Sequence, residues 1–167
     1  MKKAGVEDAP NLVYQVSMVK EASAPKNRPI VIGFGPGGIF AGLVLAQAGL
    51  KPIILERGQN VDVRTKQVEK FWTEGVLDTE SNVQFGEGGA GTFSDGKLNT
   101  GIKDKRIKFV LKTFNKFGAS DDILYLQKPH IGTDVLRQVV VNMREEIINL
   151  GGKFLFNTKF IDFKAQD

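Results

Sequence analysis

The sequence predicts an α/β domain in which a parallel sheet is flanked by helices. Two short apolar segments, residues 29–34 (PIVIGF) and 52–56 (PIILE), are rich in β-branched residues, the pattern of parallel strands buried on both faces. A glycine-rich turn and a helical segment lie between them and complete a βαβ unit. With 167 residues, the chain is long enough to form one sizeable core.

The first helix is predicted over residues 38–48, directly after the glycine-rich turn. Gly38, Gly42 and Ala46 recur every four residues, so they form a stripe of small residues that lets the helix lie close to the sheet. Gly49 ends this helix. The second strand follows and ends on an acidic residue, Glu56.

Three further helices are predicted from apolar residues at helical spacing, over residues 61–73, 104–117 and 134–150. Val61, Val68, Phe71 and Trp72 form the expected apolar side of the first of them. Residues 82–100 contain five glycines without a sustained period, which predicts a loop too long to be a simple connector. Residues 153–156 and 159–163 are predicted to be strands.

The amino-terminal residues are predicted to lie outside this domain. Residues 12–19 alternate well enough to form a strand, and residues 20–28 form a polar linker. We therefore expect residues 1–28 to be the tail of a preceding segment with its linker, and the domain to occupy residues 29–167.

Composition restricts the kinds of function. The chain has 23 basic and 19 acidic residues, and this net charge of +4 suits an anionic ligand but is small for a nucleic-acid-binding protein. Because the chain has no cysteine, any redox chemistry must come from a cofactor rather than from a dithiol. It has no signal-peptide pattern and no apolar run of about 18 residues, so a cytoplasmic protein without a membrane partner is expected.

The first glycine-rich turn has the pattern G-x-G-x-x-G of a dinucleotide-binding site. It consists of Gly33, Phe34, Gly35, Pro36, Gly37 and Gly38, between the first predicted strand and helix. Gly33 permits a tight turn, Gly35 lets the backbone approach a pyrophosphate, and Gly38 lets the helix pack on the strand. The amino-terminal end of the helix then directs free amides and a positive dipole at the anion.

Glu56 is the predicted ribose-binding residue, because it ends the second strand eighteen residues after Gly38. A carboxylate at this position accepts hydrogen bonds from both ribose hydroxyls and repels a 2′-phosphate, so FAD or NAD is favoured over NADP. The alternative is a glycine-rich turn followed by an accidental acid.

Two arginines after this strand are candidates for the same site. Arg57 would lie against the adenine or pair with a phosphate, and the alternative is an exposed arginine in a turn. Arg64, at the start of the next helix, is a candidate for the pyrophosphate. Its alternative is a solvated helix charge.

The second glycine-rich segment, residues 86–97, offers backbone that a flat ring can approach. Its candidate cofactor-binding residues are Gly89, Gly91, Thr92, Phe93, Ser94 and Lys97. A positive charge near the flavin N1/C2=O edge stabilises the reduced ring, so Lys97 is the candidate for tuning its potential. The alternative is a mobile surface loop. His130, the sole histidine, is either a proton donor or a structural residue.

Residues 28–163 resemble the FAD-dependent family known as NAD(FAD)-utilizing dehydrogenases, relatives of the glutathione-reductase-like flavoproteins. The segments that resemble this family are residues 33–38, Glu56-Arg57-Gly58, residues 82–97 (NVQFGEGGAGTFSDGK) and residues 128–134 (KPHIGTD). The resemblance implies a Rossmann-like FAD/NAD(P)-binding domain with the pyrophosphate at the first turn, ribose at Glu56 and adenine near the main chain of Phe160.

The resemblance also implies that this chain is the amino-terminal part of a longer FAD-binding domain. Related proteins complete the flavin site with a Gly-Asp pair, and this dipeptide does not occur here. The expected function is that of a flavin-dependent oxidoreductase, with hydride transfer through flavin N5, NAD(P)H as a candidate electron donor and an unidentified small-molecule substrate. No catalytic side chain and no metal ligand are assigned, and self-association of the incomplete domain is expected.

Two alternatives to this function stay open. One is a dinucleotide-binding module that holds FAD or NAD without chemistry of its own. The other is a flavoprotein that modifies RNA, which is suggested by overall basicity and by lysines at positions 105, 108, 112 and 116. A solvated helix face explains these lysines better, so no nucleic-acid partner is expected.

Overall fold

A computed structural model describes residues 14–16 and 25–165 of the chain. The strands are β1 (Ile30–Ile32), β2 (Ile53–Leu55) and β3 (Lys153–Leu155); the helices are α1 (Pro36–Gln47), α2 (Val61–Glu74), α3 (Arg106–Lys116) and α4 (Thr133–Asn149). Two 3₁₀ turns, Ala90–Phe93 and Asp121–Leu124, lie before and after α3. The four predicted helices and three of the four predicted strands of the domain are confirmed.

The three strands form one small parallel sheet in the order β1-β2-β3, so the predicted α/β class is confirmed. Ile30 is paired with Ile53, and Ile53 with Lys153. Helices α1 and α4 pack against each other on one face of the sheet, where Leu43, Ile54 and Ile147 are fully buried. This packing places the amino-terminal end of α1 at the carboxyl ends of the strands.

The stripe of small residues explains how α1 approaches the sheet. A Cβ atom on Gly42 would lie 3.4 Å from Cδ1 of Ile147 and 3.6 Å from Cγ1 of Ile54. Ala46, one turn later, is buried in the same core. Larger residues would push the helix away from β2 and α4.

The strand predicted over residues 159–163 does not form. Asn157, which has a positive φ, reverses the chain after β3, and the amides of Asn157 and Thr158 donate to the carbonyls of Gly58 and Glu56. The segment therefore crosses the carboxyl end of β2 instead of extending the sheet, and Ile161 is 89% exposed. An alternating pattern forms a strand only where a neighbouring strand can satisfy its hydrogen bonds.

Helix α2 buries a different face from the one predicted. Val61 and Val68 are buried as expected, but Phe71 and Trp72 are exposed, and Arg64 takes their place among the buried residues. The prediction was wrong for Phe71 and Trp72 because it identified the buried face from apolar residues alone, whereas the hydrogen-bonded guanidinium of Arg64 is buried.

The predicted amino-terminal strand at residues 12–19 lies outside the described residues apart from 14–16, which are in no strand. The ring of Tyr14 packs edge-on against Phe109 of α3, with centroids 5.0 Å apart. Within the described part of the chain, no helix is long and apolar enough to cross a membrane.

Candidate functional site

A cleft of about 290 Å³ lies at the carboxyl ends of β1 and β2. In open α/β sheets, this end of the strands is where ligands bind. Six of the predicted cofactor-binding residues line it: Gly33, Gly35, Glu56, Arg57, Gly89 and Phe160. The other lining residues are Ile32, Leu55, Gln84, Phe85, Gly86, Thr158 and Lys159.

The first glycine-rich turn adopts the geometry that its sequence predicts. Gly33 has a φ of 88°, which side-chain-bearing residues rarely adopt, and its amide donates to the carbonyl of Leu55. A Cβ atom on Gly38 would overlap the carbonyl oxygen of Gly33, so only glycine allows the helix to begin so close to the strand.

The amino-terminal end of α1 has amides that donate to no acceptor among the described residues. The first amide that bonds back within the helix is that of Ile39, which donates to the carbonyl of Gly35 at 2.9 Å. Pro36 has no amide hydrogen, whereas Gly37 and Gly38 precede this bond and have amides without an intrahelical acceptor. The turn therefore offers donors and a positive dipole end to an anion.

Glu56 is held beneath this turn with both carboxylate oxygens in use. Its side chain is 4% exposed; Oε2 accepts the amide of Phe34 at 2.7 Å, and Oε1 accepts the amide of Gly58 at 2.9 Å. A carboxylate oxygen can accept two hydrogen bonds, so each oxygen keeps capacity for a ligand hydroxyl. The carboxylate is thus fixed in orientation before any ligand binds.

The guanidinium of Arg57 lies over the ring of Phe85, with its central carbon 3.8 Å from the ring centroid. Nη2 of Arg57 donates to Oε2 of Glu80 at 2.6 Å, and Nζ of Lys159 contacts Oε1 of Glu80 at 3.2 Å. These hydrogen bonds from Arg57 and Lys159 lower the pKa of the Glu80 carboxyl. Sequence analysis did not single out Glu80, and it included Phe85 only within the segment that resembles the FAD-dependent family.

The second glycine-rich segment packs directly on the first. The amide of Gly88 donates to the carbonyl of Phe34 at 2.8 Å, and a Cβ atom on Gly89 would lie 2.9 Å from Cδ of Pro36 and 3.3 Å from Cα of Gly35. Gly86 to Gly89 are buried. The alternative of a mobile surface loop does not fit these buried, hydrogen-bonded residues.

Arg64 is fully buried and holds the second glycine-rich segment in place through hydrogen bonds. Its guanidinium donates to four acceptors at 2.6 to 3.0 Å: the carbonyls of Asn82, Val83 and Glu87 and the hydroxyl of Thr92. It also lies 4.7 Å from the ring centroid of Phe93, and burial lowers its pKa to about 10. The alternative of a solvated helix charge is wrong, and the guanidinium does not line the cleft.

A second buried charge, Glu87, was missed by the sequence analysis. Its Oε2 accepts the amide of Val61 at 2.8 Å and Nη1 of Arg144 at 2.7 Å, whereas Oε1 has no hydrogen-bond partner among the described residues. Burial raises the pKa of this carboxyl to about 7. A lone acid between glycines gives no sign in the sequence that it will be buried.

The donors predicted to face a ring are engaged within their own segment. The hydroxyl of Thr92 donates to the carbonyl of Gly89 at 2.9 Å, and that of Ser94 donates to the carbonyl of Gly91 at 2.8 Å. Lys97 is exposed and paired with Asp95 at 2.8 Å, and Nε2 of His130 lies 2.7 Å from the carbonyl oxygen of Asp95.

Several of these residues border a separate cavity. Gly91, Ser94, Lys97 and Pro36 line a space of about 380 Å³ next to apolar side chains of α1, α3 and α4. Gly35 and Gly89 line the cleft instead, so the structure does not bring all the predicted cofactor-binding residues to one space. Five of them line neither space: Gly37, Gly38, Arg64, Thr92 and Phe93.

Comparison with known proteins finds a similar protein but does not identify a family for this chain. No family model matches the chain. A protein of Clostridium beijerinckii (strain ATCC 51743 / NCIMB 8052), described as an uncharacterized protein, is 62% identical over 156 residues. These residues are 93% of this chain and 29% of that protein, so the chain spans less than a third of the length of its relative.

Proposed function

We propose that the cleft binds the adenosine diphosphate half of FAD and that the chain is the FAD-binding portion of a flavin-dependent oxidoreductase. In this proposal, the α/β unit is a Rossmann-like dinucleotide-binding domain. The observation that supports it most is the position of Glu56, a buried carboxylate in the same cleft as the amino-terminal end of α1.

The phosphate end of the proposed site rests on the first turn. The amides of Gly37 and Gly38 lack intrahelical acceptors, so a pyrophosphate placed there would satisfy them and lie at the positive end of the helix dipole. The turn fits the group because it is open at Gly37, where a Cβ atom would meet no atom of the described residues within 4 Å.

The nucleoside end rests on residues along the cleft. Each oxygen of Glu56 keeps capacity for one more hydrogen bond, which matches the two hydroxyls of a ribose. Arg57 and Phe160 line the same cleft, and in this proposal the adenine lies against them. Arg64 has no ligand-binding role in this proposal, because its donors are used within the protein.

FAD would supply the chemistry, namely hydride transfer through flavin N5, with NAD(P)H as the candidate donor. The chain's own residues would bind and orient the cofactor. A second candidate function is a dinucleotide-binding module without chemistry. It is favoured by the observation that Thr92, Ser94 and Lys97 are already engaged within their own segment.

Titration calorimetry with FAD and with ADP tests the proposed function. We expect both to bind the parent chain and Glu56→Arg to weaken both at least tenfold, because it removes the ribose acceptor and the carboxylate that orders the turn. Glu69→Arg is the matched control, since Glu69 is exposed on α2, and should bind as the parent does. Equal binding by Glu56→Arg and the parent would reject this cleft as the cofactor site.

The absorption spectrum distinguishes the two candidate functions. A flavoprotein purified with FAD is yellow, whereas a module that prefers NAD is colourless and binds NAD more tightly than FAD. A preference for NAD in the calorimetric titration would therefore favour the second candidate.

A further inference from the structure

We propose that Glu80 is a specificity-determining residue of the cleft, which prevents Arg57 and Lys159 from binding a phosphate on the ribose 2′-hydroxyl. The inference rests on the proposed function, because it requires the ribose to lie at Glu56. It goes further in that it assigns discrimination to a residue outside the G-x-G-x-x-G turn and the strand-ending acid.

Glu80 uses both carboxylate oxygens to hold two cations from different segments. Its Oε2 accepts Nη2 of Arg57 at 2.6 Å and Nε of Arg57 at 2.9 Å, and its Oε1 accepts Nζ of Lys159 at 3.2 Å. Arg57 follows β2, and Lys159 follows β3. A single carboxylate, which does not itself line the cleft, therefore pairs with two cations that do line it.

The two cations lie in the cleft that the ribose would occupy. Arg57 and Lys159 line the cleft together with Glu56, the proposed ribose acceptor. Sites that accept a ribose 2′-phosphate use a nearby arginine, which binds phosphate with two parallel hydrogen bonds. The cleft thus has the cations that a 2′-phosphate site requires, but both are already paired with Glu80.

The contacts of Arg57 with Phe85 and Glu80 support this role of Glu80. Phe85 covers one face of the guanidinium, and Glu80 binds the edge formed by Nε and Nη2, which is one of the edges that forms paired hydrogen bonds with phosphate. The pKa of Glu80 is lowered by Arg57 and Lys159, so the carboxylate stays charged at neutral pH. A 2′-phosphate in the cleft would then meet the carboxylate of Glu56 and two cations that are already paired with Glu80.

The test compares 5′-AMP with adenosine 2′,5′-bisphosphate, which differ only in the 2′-phosphate. Calorimetry on the parent chain should show a preference for 5′-AMP. In Glu80→Gln, the affinity for the bisphosphate relative to 5′-AMP should rise about fivefold, the size expected from one or two partly exposed ion pairs. The gain should shrink at high salt, because the freed charges are near the surface.

Two further variants make the result specific. Glu69→Gln removes one exposed negative charge from α2 and should leave the ligand ratio unchanged. In Glu80→Gln/Lys159→Met, part of the gain should disappear, because one of the released cations is absent. The Glu80 side chain is 47% exposed, so these variants should fold as the parent does.

The outcomes separate the inference from the proposed function. An unchanged ligand ratio in Glu80→Gln, with 5′-AMP still bound, would overturn the role of Glu80 and leave the cleft assignment intact. If the parent bound none of 5′-AMP, the bisphosphate and FAD, the proposed function and this inference would both be rejected. If Glu69→Gln raised the affinity for the bisphosphate relative to 5′-AMP as much as Glu80→Gln does, the effect would come from overall charge. That result would overturn the inference.

Discussion

The two glycine-rich segments of this chain have similar compositions but different structures. In the first, residues 33–38, glycine permits a tight turn and a close helix start, and the backbone faces a cleft. In the second, residues 86–97, the chain wraps around buried polar side chains, of which Glu87 and Thr92 are fully buried. The first is therefore available to a ligand, whereas the second is occupied largely by its own hydrogen bonds.

This difference shows that glycine content alone does not identify a ligand-binding loop. The first segment contributes amides without acceptors, and an acid fixed beneath them completes it. The second contributes hydroxyls that already donate to neighbouring carbonyls, and Arg64 fastens it from inside. The following predictions test whether the two segments differ in this way.

The largest expected effect is on the second segment. Arg64→Met should lower the free energy of unfolding by roughly 3–5 kcal/mol, because it leaves several buried acceptors without a donor. Lys66→Met, an exposed change on the same helix, should alter stability by less than about 0.5 kcal/mol. Urea denaturation measures both, and a stable Arg64→Met would show that the second segment does not depend on this internal anchor.

The next effect concerns the first segment. Gly38→Ala should destabilise the fold by about 1–3 kcal/mol, because the added methyl group overlaps the carbonyl of Gly33. Gly37→Ala is the matched control: its methyl group meets open space, and alanine should stabilise the helix by up to about 1 kcal/mol. If thermal denaturation gave equal stabilities for the two variants, the close contact between α1 and β1 would be wrong.

A pH-dependent effect should come from Glu87. Because burial raises its pKa from 4.5 to about 7, the folded state binds a proton that the unfolded state has released. The stability contributed by the neutral carboxyl is therefore complete below pH 4.5 and is lost as the pH rises through about 7. Glu87→Gln should flatten this part of the stability curve.

The difference between the parent and Glu87→Gln in urea midpoints, measured from pH 4.5 to pH 8, isolates this group from others that titrate in the same range. Asp62 and Arg144 are the charged residues that act on the carboxyl, the first raising and the second lowering its pKa. Parallel curves for the two proteins would contradict a raised pKa at Glu87.

The smallest expected effect is at Lys97. Its side chain is 67% exposed and borders the second cavity, away from the cleft, so Lys97→Met should change ADP affinity by less than about twofold. With FAD bound, the same change should lower the flavin potential if the ring lies near this residue. An unchanged potential in a flavin-loaded protein would show that Lys97 does not face the ring.

The sequence predicted the parts of the fold and site that depend on local pattern. Strands β1 and β2, the turn between them and the position of Glu56 follow from residues within one βαβ unit. Arg64, Glu80 and Glu87 could not be placed in this way, because their partners are 18 to 79 residues away in the chain. The strand predicted at residues 159–163 failed for a similar reason: the reversal at Asn157 carries the segment across β2.

The most direct test of the difference between the two segments is hydrogen–deuterium exchange with and without saturating ADP. We expect slower exchange in peptides that cover residues 33–39 and 56–58, because the ligand would engage the amides at the start of α1 and stabilise the turn at Glu56. Peptides from residues 94–100 should exchange at the same rate in both states. Unchanged exchange at residues 33–39 with ADP bound, or protection confined to residues 94–100, would show that the first segment is not the ligand-binding one.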